Sequence, residues 1–279
     1  MNQSKKLELQ RTANNVRLGI IEAVYNAACG HPGGSLSIAD VLTYLYFEEM
    51  RVDPANPAEK NRDRFVLSKG HTAPALYSVL AERGFFPKEE LKTLRKTASR
   101  LQGHPDMKGV PGVDMSTGSL GLGFSTACGM ALSAKVCGDD YRVYTALGDG
   151  ESQEGQVWEA AMFAAHYKLD NLVAVLDLNG LQIDGPITEV MNPTPHDDKF
   201  RAFGWHVITI DAHDFDQIEA AFNEARTVKG QPTVIIAQSV KGKGVSYMEN
   251  KCEWHGQAPK EDLYLVAVAD LKKIEEELK

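Results

Sequence analysis

Apolar positions near the start of the chain recur at helical spacing. Leu7, Leu9, Val16, Ile20, Val24 and Ala28 carry this periodicity, which predicts a helix over 4–29. The run CGHPGGS breaks the pattern, and 37–49 reads as a second helix with Ser37 as its N-cap. Phe65–Leu67 is a short apolar strand running into Gly70, and 72–83 and 88–99 read as helices. Residues 102–123, rich in Gly, Pro and Ser, read as a long loop. A small-residue helix over 124–137 follows, then a strand at 142–147, a helix at 152–167 and a strand at 172–178. Beyond an irregular stretch at 180–200, with a helix starting near Asp197, come a strand (206–210), a helix (214–228) and a strand (233–239). A loop (241–261) and a terminal helix (262–278) complete the reading. The strands, such as LVAVLDL and TVIIAQS, are continuous apolar runs rather than alternating ones, as expected of parallel strands buried on both faces. The pattern predicts an α/β fold, a doubly wound, mostly parallel sheet flanked by helices. With no linker or repeat, residues 1–279 read as a single domain with a helical N-terminal region.

Composition narrows the function classes. The 279 residues carry 43% hydrophobic and 24% charged side chains and a net charge of -8, with no basic stripe. That argues against nucleic-acid or anionic-membrane partners. No segment reaches the length of unbroken apolar sequence a membrane span needs, and the N-terminus has no apolar signal core. Cys29, Cys128, Cys137 and Cys252 show no C-x-x-C spacing and read as free thiols in a reducing cytoplasm.

The densest chemistry lies between Gly148 and Gly180. Gly148-Asp149-Gly150 follows one strand, and Asn179-Gly180 follows the next. Ligands of open parallel sheets sit at the carboxyl ends of strands. If the two strands are neighbours, Asp149 and Asn179 emerge together, and two oxygen donors there suit a hard cation such as Mg²⁺ or Ca²⁺. The glycines permit close backbone approach, and the next helix would aim its first amides at the same spot. Cation and anion at one edge point to a magnesium-bound diphosphate. Either motif alone is an ordinary turn; their spacing carries the reading.

Four of the eight histidines, His31, His71, His104 and His255, sit in glycine- or proline-marked loops. Imidazoles there could pass protons near neutral pH and bind sugar hydroxyls. His166 on a helix and His206 at a strand start read as structural, while His196 and His213 have no assigned role.

Together these segments resemble the thiamine-diphosphate motif, G-D-G followed about thirty residues later by asparagine, with Leu178 a departure just before Asn179. The histidine loops GHPGGS, SKGHTAP, QGHPD and EWHGQAP resemble those of the transketolase family. So do TGSLGLG (117–123), where Ser119 and Leu122 replace the family's proline and glutamine, NRDRFVLSKGH (61–71) and RAFGWHVI (201–208). The resemblance runs from about residue 10 to 260. It implies thiamine diphosphate with Mg²⁺, or Ca²⁺ or Mn²⁺ in its place. Asp149, Asn179 and the Leu181 carbonyl would hold the metal. His71, the Gly118, Ser119 and Leu120 backbone, Gly150, Glu154, Asn179, Ile183 and His255 would surround the cofactor. His31, His104 and His255 would be catalytic and face the sugar.

The implied reaction breaks the ketose C2–C3 bond and transfers a two-carbon ketol unit to an aldose, with phosphorylated sugars as substrates. Family members normally carry a pyrimidine-binding domain with an activating glutamate, and a C-terminal domain, on the same chain. The reading is therefore the N-terminal subunit of a split enzyme, whose partner is a separate C-terminal subunit in an α2β2 assembly. Glu154, and less firmly Glu159, would lie at a subunit contact; Lys241 and Lys243 either touch phosphate or stiffen a loop. Alternatives are a transketolase-like chain for a sulfonated or branched ketose, the α subunit of a 2-oxo-acid dehydrogenase, and a 1-deoxyxylulose-5-phosphate synthase. From other classes come a dinucleotide-binding protein and a non-catalytic regulatory subunit. GSLGLG follows no clear strand, as the dinucleotide fingerprint requires.

Overall fold

A five-stranded parallel sheet organises the chain, as seen in a computed structural model describing residues 1–278. Its strands are β1 (Arg64–Leu67), β2 (Val143–Gly148), β3 (Leu172–Leu178), β6 (His206–Asp211) and β7 (Thr233–Gln238), in the order β1-β2-β3-β7-β6. Between them in sequence, β4 (Leu181–Gln182) and β5 (Gly185–Pro186) form a separate antiparallel pair. The fold is α/β with helices on both faces.

The helices are α1 (Gln3–Ala27), α2 (Pro32–Ser37), α3 (Ala39–Tyr44), α4 (Ala73–Arg83) and α5 (Leu122–Cys137), then α6 (Gly155–His166), α7 (Ile187–Val190), α8 (His196–Ala202), α9 (Phe215–Thr227) and α10 (Glu261–Glu277). None is long and apolar enough to cross a membrane among the described residues. Two cores sandwich the sheet. Val173, Val175, Tyr144 and Ile235 join Ile20 of α1, Leu42 of α3, Leu80 of α4 and Phe222 of α9. Leu172, Ala174, Leu176, Val234 and Ile236 join Phe124 of α5, Val157 of α6, Phe200 and Trp205. Successive side chains of β3 thus enter opposite cores, so both parities must be apolar and no alternation shows. Each buried Val or Leu contributes about 1.5–3 kcal/mol.

Three expected boundaries move. The helix placed over 37–49 begins at Pro32, whose fixed φ suits a first turn, and continues past α3 as a π turn over Leu45–Glu49. Ser37 caps nothing; its hydroxyl donates to the Gly34 carbonyl and to Asp177 Oδ2. The helix expected over 88–99 is only a 3₁₀ turn, Lys88–Thr93. Arg95 and Ala98 then take left-handed φ of 59° and 65°, and the chain folds back with Arg95 N–H donating to Leu101 O. The helix expected from 152 starts at Gly155, after a 3₁₀ turn at Gly150–Gln153. Trp158 Nε1–H fixes that turn through the Ser152 carbonyl at 2.9 Å.

Candidate active site

Adjacent strand ends build the site. Gly148 of β2 pairs with Asp177 of β3, so Asp149 and Asn179 leave the sheet side by side. They open into a cavity of about 350 Å³ with Leu181, Lys241, His31, His71 and His255. Asp149 is buried. Its Oδ1 accepts from Gly150 N–H at 2.8 Å and its Oδ2 from Gly180 N–H at 2.6 Å. Burial, then the facing Asp177, pushes its carboxyl up to about 6. Asn179 donates to Asp177 Oδ2 and accepts from Leu181 N–H, both at 3.2 Å.

Two buried lysines stand behind these oxygens. Lys69 donates to Asp177 Oδ2 at 2.5 Å and to the Gly34 carbonyl at 2.9 Å. Ser37 and Ser239 also donate to Asp177, whose carboxyl is held below its usual range by Lys69 despite full burial. Lys241 differs: it is 1% exposed, and its Nζ donates to the Leu181 carbonyl at 2.9 Å and lies 3.0 Å from His255 Nδ1. No carboxylate lies within ion-pair distance of it among the described residues. Burial lowers its ammonium to about 8, although Asp149 opposes the shift.

The histidine rings of 31, 71 and 255 meet at centroid distances of 5.1–5.5 Å. Burial lowers His31 to about 4 and His255 to about 3, with Arg95 adding at the first and Lys241 at the second. Burial and His255 lower His71. Burial thus favours the neutral form of all three rings. His31 Nδ1 is buried without a hydrogen-bond partner among the described residues. His104 stands apart from the cavity lining, its ring 3.3 Å from where a Cβ on Gly118 would lie. Burial and then Arg95 lower its value too.

The remaining expected residues divide. Gly118, Leu120, Gly150, Glu154 and Ile183 line the cavity, Ile183 as a 66% exposed rim residue. Ser119 does not; it faces a neighbouring recess with Met115 and Leu122. Glu154 and Glu159 are exposed and form no ion pair among the described residues. Lys241 enters the site, whereas Lys243 lies 3.9 Å from Glu249. His206 meets Glu224 at 2.6 Å, and His166 is exposed beside Tyr167. His196 and His213, unassigned from sequence, brace the site. His196 Nε2 is 2.9 Å from Ser152 Oγ, and His213 donates to Asp40 while accepting from Val240 N–H. Lys69, Arg95 and Glu151 were missed, because a lone charge in a loop gives no sign of a partner distant in sequence.

This donor set suits a metal diphosphate. Lys241 is a buried cation and Asp149 a buried anion, and neither has an ion-pair partner among the described residues. Among the described residues no three His, Cys, Asp or Glu side chains converge as a closed metal site. One carboxylate, one amide oxygen and one carbonyl leave room for phosphate oxygens and water, the usual habit of Mg²⁺.

The sequence profile described as transketolase, thiamine diphosphate binding domain, matches residues 9–273. The chain belongs to the transketolase family. It is 48% identical over 269 residues to a 6-deoxy-6-sulfo-D-fructose transketolase subunit of a Clostridium species, covering 96% of this chain and 98% of that one. It is 45% identical over 276 residues to an apulose-4-phosphate transketolase subunit of Phocaeicola vulgatus, covering 99% and 97%. The transketolase of Campylobacter jejuni superposes with a TM-score of 0.90 at 33% identity, covering 98% of this chain and 43% of that one. The chain therefore spans less than half of that longer transketolase, and nearly all of the two subunit relatives.

Proposed function

We propose that this chain is the thiamine-diphosphate-binding subunit of a two-subunit transketolase, which moves a two-carbon ketol unit from a ketose to an aldose. One observation carries the reading: in a chain of this family, a buried ammonium, a buried carboxylate and three imidazoles converge at the ends of β2 and β3. Asp149, Asn179 Oδ1 and the Leu181 carbonyl would hold a divalent cation, most simply Mg²⁺. Lys241 and the Gly150 backbone would face the diphosphate, while His71, Gly118 and Leu120 would flank the cofactor and Ile183 would cover its exposed side. Thiamine diphosphate, when bound, supplies the electron sink that carbon–carbon cleavage next to a carbonyl requires. This chain's own work is positioning and proton transfer. His31 and His255 present their rings to the cavity, where either would be placed to take the proton from a sugar hydroxyl and return it. His104 and Arg95 lie outside the cavity lining but within electrostatic reach of His31, and would meet the sugar as it enters.

The subunit names of the two full-length relatives support a separate partner chain, for which an α2β2 assembly is the simplest arrangement. Four free cysteines support a reducing compartment such as the cytoplasm. Phosphorylated sugars are the default substrates. The sulfosugar in the first relative's name favours a second reading, in which a sulfonated ketose is the donor.

The test is to purify this chain and its partner chain separately and mix them with thiamine diphosphate and Mg²⁺. Two-carbon transfer is then assayed across phosphorylated, sulfonated and unphosphorylated ketoses. Activity should need both chains. Ketol transfer by this chain alone would overturn the split arrangement, and a complex that binds no thiamine diphosphate would overturn the whole reading.

A further inference from the structure

Glu151 directly follows the Gly148–Gly150 turn, is buried, and has no cation within ion-pair distance among the described residues. Its charge is instead held by donors from three separate segments. Oε1 accepts from Ser68 Oγ, past the end of β1, at 2.5 Å and from Gly121 N–H, at the start of α5, at 2.8 Å. Oε2 accepts from Gly148 N–H at the end of β2, at 3.0 Å. Ser68 Oγ in turn accepts from Phe124 N–H at 3.0 Å, tying the first turn of α5 to the same carboxylate. The segments meet tightly: a Cβ on Gly123 would lie 2.6 Å from Ser68 Cα.

We propose that Glu151 is a positioning residue that joins the two halves of the cofactor cradle. One half is the 117–121 loop, the other the Gly148-Asp149-Gly150 turn. The proposal rests on the thiamine-diphosphate reading of the cavity. Glu151 lines that cavity, yet its oxygens are turned onto hydroxyl and amide donors rather than onto a cation. The chemistry demands a carboxylate. All three partners donate, and an ionised carboxylate only accepts. Glutamine has the same shape but, even with its nitrogen on the side of the single donor, sets an N–H₂ against the Gly148 N–H, losing that bond and opposing that donor. The same arrangement decides where an anion goes. The Gly121 amide at the N-cap of α5 and the Phe124 amide in its first turn are already held by Glu151 and Ser68. The glycine-rich loop is thus a wall of the cradle, and of the groups lining the cavity Lys241 is the cation left to the diphosphate.

The experiment compares Glu151→Gln and Ser68→Ala with the wild type and with Phe222→Leu, a packing variant on the far side of the sheet. Cofactor affinity is measured by calorimetry with thiamine diphosphate and Mg²⁺ in the complex with the partner chain, and turnover at saturating cofactor in the same complex. Amide exchange at Gly121 and Phe124 is followed in the full chain without cofactor. The expected result for Glu151→Gln is a 10- to 100-fold loss of cofactor affinity, of the size seen for supporting partners of metal ligands. Turnover at saturation stays within about threefold and the two amides exchange faster. Ser68→Ala shifts both readouts the same way by less, and Phe222→Leu lowers the melting temperature without moving affinity. Affinity within twofold of wild type in Glu151→Gln, or unchanged exchange at both amides, overturns the proposal. If the wild type itself binds no thiamine diphosphate, the functional reading fails separately, and amide exchange still decides whether Glu151 joins the two segments.

Discussion

A buried group that carries charge without an ion-pair partner is the most informative kind of residue in this site. Lys241 and Asp149 are both of that kind, and each predicts its own guest. Lys241→Met should leave the melting temperature of the free chain within a few degrees, since the ammonium is desolvated there without an ion-pair partner. The same change should weaken thiamine-diphosphate binding about 10- to 100-fold, read by calorimetry in the assembled complex. His31 makes the opposite prediction. Its ring lines the cavity with an unpartnered Nδ1 and makes ring contacts with His71 and His255. His31→Ala should leave cofactor affinity within about threefold while turnover falls by about 10²- to 10⁴-fold, the usual worth of a general base. A parallel loss of affinity would place His31 among the cofactor's supports. His255 is less separable, because its Nδ1 lies against Lys241 and its ring stacks on His71. Asp149, Asn179 and the histidine loops could be read from sequence because glycines and strand ends mark them. Lys69 and Asp177 could not: their partnership spans 108 residues, and no local pattern encodes it.

Elements matter here chiefly through what their ends hold. The end of β3 supplies Asp177, and around it gather Lys69 from beyond β1, Ser37 from α2 and Ser239 from beyond β7. Asp177→Ala should cost about 3–5 kcal/mol, because it leaves Lys69 charged and buried alone. Pairing it with Lys69→Met should recover a large part of that loss in a double-mutant cycle by denaturant titration. Additive losses would show that the pair is not coupled. The strands were legible because a strand buried on both faces writes itself as an apolar run. Helix ends were less so. Pro32 opens a helix that the CGHPGGS pattern disguised as a loop, and the polar stretch after Lys88 is helical for one short turn before Arg95 and Ala98 reverse it. In both places packing against distant elements, not local periodicity, decided the outcome.

At the scale of the whole molecule, the site leaves a mark on stability against pH. His31 and His196 are lowered to about 4, His255 to about 3, and His71 is lowered as well, each first by burial. An unfolded histidine titrates near 6.5. The unfolded chain therefore binds protons first, so the histidine contribution is fully present above about pH 6.5 and is lost as pH falls toward 4. Asp149, Glu151 and Glu49, whose values are raised, act in the opposite sense. His196→Asn isolates one contribution. It should reduce the pH dependence of unfolding free energy between pH 6 and 5 by up to about 1.4 kcal/mol per pH unit, the weight of one proton. Urea titrations across that range would read it, and an unchanged slope would show that His196 does not titrate on unfolding. The fold's class, and the placing of the site at the ends of β2 and β3, followed from apolar runs and two glycine-flanked motifs. The bracing of the site by Glu151, His196 and His213 arises only when segments far apart in sequence close on one another.

The opposite charges of Lys241 and Asp149, neither held in an ion pair among the described residues, share one small cavity, and that arrangement has a thermodynamic consequence. An anion entering alone relieves the ammonium but crowds the carboxylate, and a divalent cation entering alone does the reverse. Each guest should therefore improve the site for the other. The factor by which saturating Mg²⁺ tightens thiamine diphosphate must equal the factor by which saturating thiamine diphosphate tightens Mg²⁺. Cofactor and metal would then act as heterotropic effectors of one another, and assembly of the loaded enzyme would depend on the product of their concentrations more steeply than on either alone.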